Sequence, residues 1–423
     1  MSAEELGKRL VAEVEEEGLD ELLYSLRSLQ YPYSSPQFGL APLDRLLQPS
    51  TAPITQPAQT HRSSSPVGLR QTEPRHGTVK IGHIPPPIIE LTSPGPNDGK
   101  TQLLYLLTAT LTLPPSLGSM HLGGQNAAVV VLDTDTRFSV LRVAQVMRGY
   151  ISQCLQRQQQ QQSSTTPSNH TVAGNRYSGP EPRVSETDTA IATETAIREA
   201  LKHIHIYRPQ SLRSLIATIT ALPIYLFDAS AHHSSTRRVG VILLDSASAF
   251  VWSERAEDEM ARVPGSTFAG DAGIGGAKAA ASSSSRWAEL AACLRTASTT
   301  LHCPVVYTAW NLSSPHSTGA GVGGGGGAGQ FSASIRPQLP PPFGTLPTLR
   351  LVISRRHVRK FAPGMSGEEA IREAGDRQTV VERGVFDVEF NRWSGGGDGG
   401  GGGRRVGVGF VVKITEDGIV LDE

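Results

Sequence analysis

Gly99, Lys100 and Thr101 stand between an apolar run at 88–91 and a leucine-rich stretch that starts at Leu103. Glycine, lysine and a hydroxyl in that order, between a strand and a helix, close a phosphate-binding loop. Backbone N–H groups there point at phosphate oxygens, the lysine reaches the outer phosphates, and the hydroxyl ligates magnesium. The full pattern has an outer glycine at the position that Pro94 occupies. Gly95 follows one place later, so the turn is either rebuilt around Pro94, Gly95 and Pro96 or shortened by one residue. The motif points to nucleotide binding more strongly than to catalysis.

Three further positions have types that suit the same chemistry. Asp245 ends the apolar run 239–244, where a carboxylate at a strand end holds a magnesium shell. Asp133 and Asp135 close the run 127–132. A carboxylate there either orients the water that attacks a terminal phosphate or caps the helix that begins near Phe138. Asn311, just beyond the run 305–307, either senses the phosphate through its amide or forms a turn. The basic cluster from Arg355 to Lys360 reads either as solvated strand end or as a phosphate contact, and it lacks the interleaved aromatics of a single-strand binding platform.

These groups need a scaffold that gathers strand ends. Short apolar runs at 88–92, 127–132, 203–207, 239–244 and 303–307 alternate with helical stretches after Lys100, after Phe138, at 211–227 and at 287–301. That alternation predicts an α/β fold with a mainly parallel, twisted sheet flanked by helices. Candidate strands at 348–354, 384–390 and 406–414 predict an antiparallel C-terminal extension. Residues 1–47 read as a short helical and lead-in segment, 48–76 as a disordered linker, and 77–423 as the core. Low-complexity inserts interrupt the core at about 157–190, 264–285, 312–343 and 395–403; the first is too poor in apolar surface to order itself, and the next two read as long loops.

Composition narrows the class. The 39 basic and 39 acidic residues cancel, so net charge supplies no general attraction to nucleic acid or membrane. Cys154, Cys293 and Cys303 have no paired spacing, which argues against a disulfide framework and a zinc site and for a reducing compartment. The longest apolar runs are too short to span a bilayer, and the acidic N-terminus lacks an apolar signal segment, so a soluble intracellular protein without membrane partners is expected.

Five stretches carry a family resemblance. They are 39–47, with its glycine, Leu43, Asp44, Leu46 and Leu47; the loop and helix 99–109; 132–138 with Leu141 and Arg142 behind it; 244–250 with Trp252; and 410–422, which contains Ile414, Thr415, Glu416, Asp417 and Gly418. Together they resemble the RecA-like recombinase core, and within that family the eukaryotic recombinase paralogues. The resemblance covers roughly half the chain.

The resemblance implies a nuclear protein of homologous recombination and double-strand break repair. It would act in a hetero-oligomer with other RecA-like paralogues and reach DNA through that complex. It also implies ATP and magnesium as cofactors, held by Gly95, Gly99, Lys100, Thr101 and Asp245, with Thr101 and Asp245 on the metal and Asp135 and Asn311 as catalytic candidates. Active recombinases carry glutamate where Asp135 stands, and Pro94 replaces the outer glycine; both departures weaken hydrolysis. The family's DNA loops correspond to 251–286 and 312–343. Neither is basic, and the first opens with Glu254, Glu257, Asp258 and Glu259. A DNA-dependent ATPase and a scaffold that has lost its nucleotide are the alternatives.

Overall fold

The computed structural model describes residues 4–5, 26, 37–47, 85–164, 186–262, 283–311, 335–356, 361–362, 364–391, 393 and 409–422. The linker 48–76, the insert 395–403 and most of the helical pattern at 3–29 lie outside the described residues, as do 165–185, 263–282 and 312–334.

Nine strands of the described residues form one sheet. In chain order they are β1 (Ile88–Thr92), β4 (Ala128–Asp133), β5 (Ile204–Tyr207), β6 (Val239–Asp245), β7 (Val305–Thr308), β8 (Leu349–Arg355), β9 (Val385–Phe390), β10 (Phe410–Ile414) and β11 (Ile419–Asp422), while β2 (Ser116–Leu117) and β3 (Met120–His121) make a separate small hairpin. The spatial order is β11-β10-β9-β8-β1-β7-β6-β4-β5. Pairing is parallel from β5 through β8 and antiparallel from β8 through β11. The antiparallel extension therefore begins one strand later than the sequence suggests, because β8 pairs in parallel with β1, Ile89 beside Leu349.

Both faces of the sheet are covered, so its central strands are apolar throughout. Ile89, Leu91, Val131, Leu243 and Val306 pack with α1 (Ala41–Leu47), α2 (Lys100–Thr112) and α3 (Val140–Ser164). Ile88, Leu132, Leu244, Val305 and Tyr307 face the other way, onto α5 (Leu212–Phe227) and α7 (Ser283–Leu301). Helix α2 buries ten of its thirteen residues, and its buried threonines stay satisfied by back-bonding: Thr108 donates to the Leu104 carbonyl, Thr112 to that of Thr108, and Thr110 to that of Phe38. Phe38 is fully buried in this core.

Three helices escape the sequence reading: α4 (Glu186–Leu201), α6 (Val251–Ala261) and α8 (Gly367–Glu382). Helix α3 also runs on through the glutamines to Ser164, because glutamine is a good helix former. Helix α6 corrects the expectation of an acidic loop at 251–286. Glu254 is buried against Arg286 of α7, which also reaches Glu257, and Asp258 accepts from the backbone N–H of Ser283 at 3.2 Å. The acidic residues thus join α6 to α7.

The C-terminal hairpin is tied to α3. Arg142 donates to the carbonyls of Thr415 and Glu416 at 2.7 and 2.5 Å. Gly149 lets the backbones meet: a Cβ there would lie 2.3 Å from the Asp417 carbonyl oxygen.

At the far edge, His203 Nδ1 and His205 Nε2 share the Ser234 hydroxyl at 2.9 Å each, with His232 stacked edge-on against His205. Burial pushes both pKa values from 6.5 down to about 4, reinforced at His203 by Arg237 and at His205 by His232. A depressed histidine contributes stability that is complete above the unfolded value and is lost as pH falls through the folded one. Urea unfolding midpoints should therefore drop as pH falls from 6.5 toward 4. The double variant His203→Gln, His205→Gln should show a shallower drop over the same range; an unchanged slope would mean that these histidines do not carry the acid sensitivity.

Candidate nucleotide site

The loop 93–99 joins β1 to α2 at the C-terminal end of the parallel strands, where open α/β sheets bind ligands. Positive φ occurs at Asn97 (64°) and Gly99 (93°), so the turn is made around Asn97, and Gly95 does not adopt that conformation. Gly99 is the N-cap of α2, which has no side-chain cap and no acidic residue in its first turn. Its first backbone N–H groups lack a side-chain acceptor, and an uncapped helix N-terminus favours an anion.

Lys100 donates from Nζ to the Ser93 hydroxyl, which itself donates to the Gly95 carbonyl at 2.6 Å. Burial pushes the lysine pKa down, and the carboxylates of Asp245, Asp98 and Asp135 oppose that shift. A half-buried ammonium with three donors and one hydroxyl acceptor is suited to a phosphate oxygen. Thr101 Oγ1 donates to Asp245 Oδ2 at 2.7 Å, and Thr308 Oγ1 donates to Asp245 Oδ1 at 2.5 Å. One buried carboxylate on β6 thereby links α2 to β7.

This donor set fits magnesium nucleotide. A hydroxyl and a carboxylate are hard oxygen ligands, and magnesium is usually held by one or two such groups together with water and phosphate oxygens. Among the described residues no group of three His, Cys, Asp or Glu side chains offers a metal cage independent of a ligand.

No family model matches the chain. It is 24% identical over 174 residues to the DNA repair protein XRCC2 homolog of Arabidopsis thaliana, a match to 41% of this chain and 44% of that protein. It is 31% identical over 131 residues to the DNA repair protein RAD51 homolog 2 of Mus musculus, covering 29% and 35% respectively. The chain therefore spans less than half the length of either curated relative. Both relatives are DNA repair proteins by name, and both agree with the resemblance to RecA-like recombinase paralogues. The mainly parallel sheet with its antiparallel C-terminal strands is the RecA-like fold.

Within this RecA-like core the two aspartates after β4 separate. Asp133 is buried and accepts from the backbone N–H groups of Arg137 and Phe138 at 3.0 and 3.2 Å, with Arg208 at 3.2 Å, so it organises the turn before α3. Asp135 lies beside Asp245: its backbone N–H meets the Asp245 carbonyl at 3.4 Å, and its pKa is raised by burial and then by the Asp245 charge. Asn311 reaches the loop from beyond β7, its amide donating to the Pro94 carbonyl at 3.5 Å. The fold thus brings Gly95, Gly99, Lys100, Thr101, Asp245, Asp135 and Asn311 to one end of the sheet.

The basic cluster contributes less. Arg355 donates to the Val381 carbonyl and Arg356 pairs with Asp387 at 2.7 Å, while 357–360 lie outside the described residues. Sequence reasoning missed Ser93, Asp98 and Thr308. Thr308 had a signal, since it extends the run 305–307 by one hydroxyl on the strand beside β1; Ser93 and Asp98 had none beyond their place in the loop.

Gly99 also ties the site to the C-terminal extension. A Cβ there would approach Ile414, Ile353 and Phe386 to 3.0, 3.2 and 3.2 Å. Gly99→Ala meets both the left-handed φ and this contact, so it should cost about 2–4 kcal/mol in denaturant unfolding. A loss below about 0.5 kcal/mol, the usual range for a neutral surface change, would contradict this packing.

Proposed function

We propose that the chain is an ATP-binding recombination mediator that serves DNA repair by homologous recombination. In this reading it works in the nucleus as one subunit of a hetero-oligomer of RecA-like paralogues, meets DNA through that assembly, and hydrolyses ATP slowly or not at all. The observation that carries the nucleotide reading is the placing of Lys100 and the Thr101–Asp245 pair at one uncapped helix N-terminus. The repair role rests on the relatives, both of which are named DNA repair proteins.

Gly95 and Gly99 would let the loop backbone approach the phosphates, Lys100 would meet the outer phosphate oxygens, and Thr101 and Asp245 would hold magnesium. Magnesium, when bound, neutralises charge on the phosphate oxygens. Asp135 would accept a hydrogen bond from the attacking water and Asn311 would report on the terminal phosphate. Aspartate is one methylene shorter than the glutamate of active recombinases, which leaves the water less well held and separates binding from turnover.

The raised pKa of Asp135 favours a second reading, a DNA-dependent ATPase, because a base nearer neutrality is a better proton acceptor. Titration calorimetry with ATP and magnesium should give saturable binding that weakens at least about tenfold in Lys100→Ala, as expected when a charged hydrogen bond is lost. Absence of binding to the native chain would leave the scaffold reading. Turnover that rises with single-stranded DNA would favour the ATPase. Affinity purification from cells with broken DNA should recover other RecA-like subunits, and recovery of none would count against the mediator role.

A further inference from the structure

Asp98 is the residue of the loop that the nucleotide reading leaves without a task. Its Oδ2 accepts the backbone N–H of Gly95 at 2.6 Å, across the mouth of the loop. A Cβ on Gly95 would lie 3.3 Å from the same oxygen, so the carboxylate rests directly on the glycine. It also stands immediately before the N-cap of an uncapped thirteen-residue helix, where the helix dipole favours an anion.

We propose that Asp98 is an internal stand-in for phosphate, an affinity-determining residue that occupies a loop donor and that a nucleotide must displace to bind. The proposal rests on the nucleotide-site reading and deepens it.

Two observations besides the hydrogen bond support this. Lys100 donates to Ser93, Ser93 to the Gly95 carbonyl, and Thr101 to Asp245, so three polar side chains of the site are held by the protein's own groups. Asp98 also joins Asp245 and Asp135 as a carboxylate whose charge acts on Lys100 against the effect of burial. Phosphate entering the loop must break one charge-assisted hydrogen bond and approach a like charge, and both effects lower affinity.

Asp98→Ala removes the plug and the charge, while Asp98→Asn keeps an oxygen acceptor and removes the charge alone. ATP with magnesium is titrated into the full chain and both variants by calorimetry, with Lys100→Ala as the weakened-binding control and circular dichroism to establish folding. Asp98→Ala should bind at least about tenfold more tightly than the native chain, the scale of one charged hydrogen bond, with Asp98→Asn between them. If Asp98→Ala does not fold, tighter binding by Asp98→Asn supports the proposal and unchanged binding overturns it. Native binding with unchanged or weaker binding in folded Asp98→Ala overturns the proposal and leaves the nucleotide site standing. No binding by any form removes the nucleotide site, and the proposal with it.

Discussion

The carboxylate of Asp245 accepts hydroxyl hydrogens from Thr101 and Thr308, and the candidate site depends on that double contact. The carboxylate is buried at the end of β6, so leaving it unpaired would be costly. Thr101 lies in the first turn of α2 and Thr308 at the end of β7. The contact therefore sets the depth of the helix relative to two strands. The backbone of the β4 turn follows, since Thr134 donates its N–H to the Asp245 carbonyl at 2.9 Å. Three chain segments converge on one residue of a fourth.

The C-terminal strands act on the same point from the other side. Ile353, Phe386 and Ile414, from β8, β9 and β10, close on Gly99, while Arg142 and Gly149 hold the final turn against α3. The antiparallel extension thus confines the loop whose backbone would meet phosphate. Beneath it, Glu90 is buried in β1 and accepts from the Tyr307 hydroxyl at 3.0 Å, with Arg350 at 3.7 Å. Burial raises its pKa, and Arg350 opposes the rise. A polar group thereby links the strand that leads into the loop with both neighbouring strands.

The parallel strands were legible because a sheet covered on both faces needs unbroken apolar runs, and 239–244 is such a run. Helices α4, α6 and α8 were not, for a common reason: they bury little of their own. Helix α8 has no buried residue, and α6 is held through the ion pairs of Arg286, which leave no apolar period to read. Lys100, Thr101 and Asp245 could be read from residue type and spacing. The different tasks of Asp133 and Asp135 could not, because the division depends on which carboxylate faces the backbone of 137–138. Asp98 was equally silent, since its contact with Gly95 exists only once Asn97 turns the loop.

The proposal most exposed to test is that this end of the sheet binds ATP and hydrolyses it slowly or not at all. The direct measurement mixes the full chain in excess with ATP and magnesium, separates bound from free nucleotide shortly after mixing, and identifies what is bound. The account predicts that the bound nucleotide is recovered as triphosphate. Recovery as diphosphate, or no bound nucleotide at all, would contradict it.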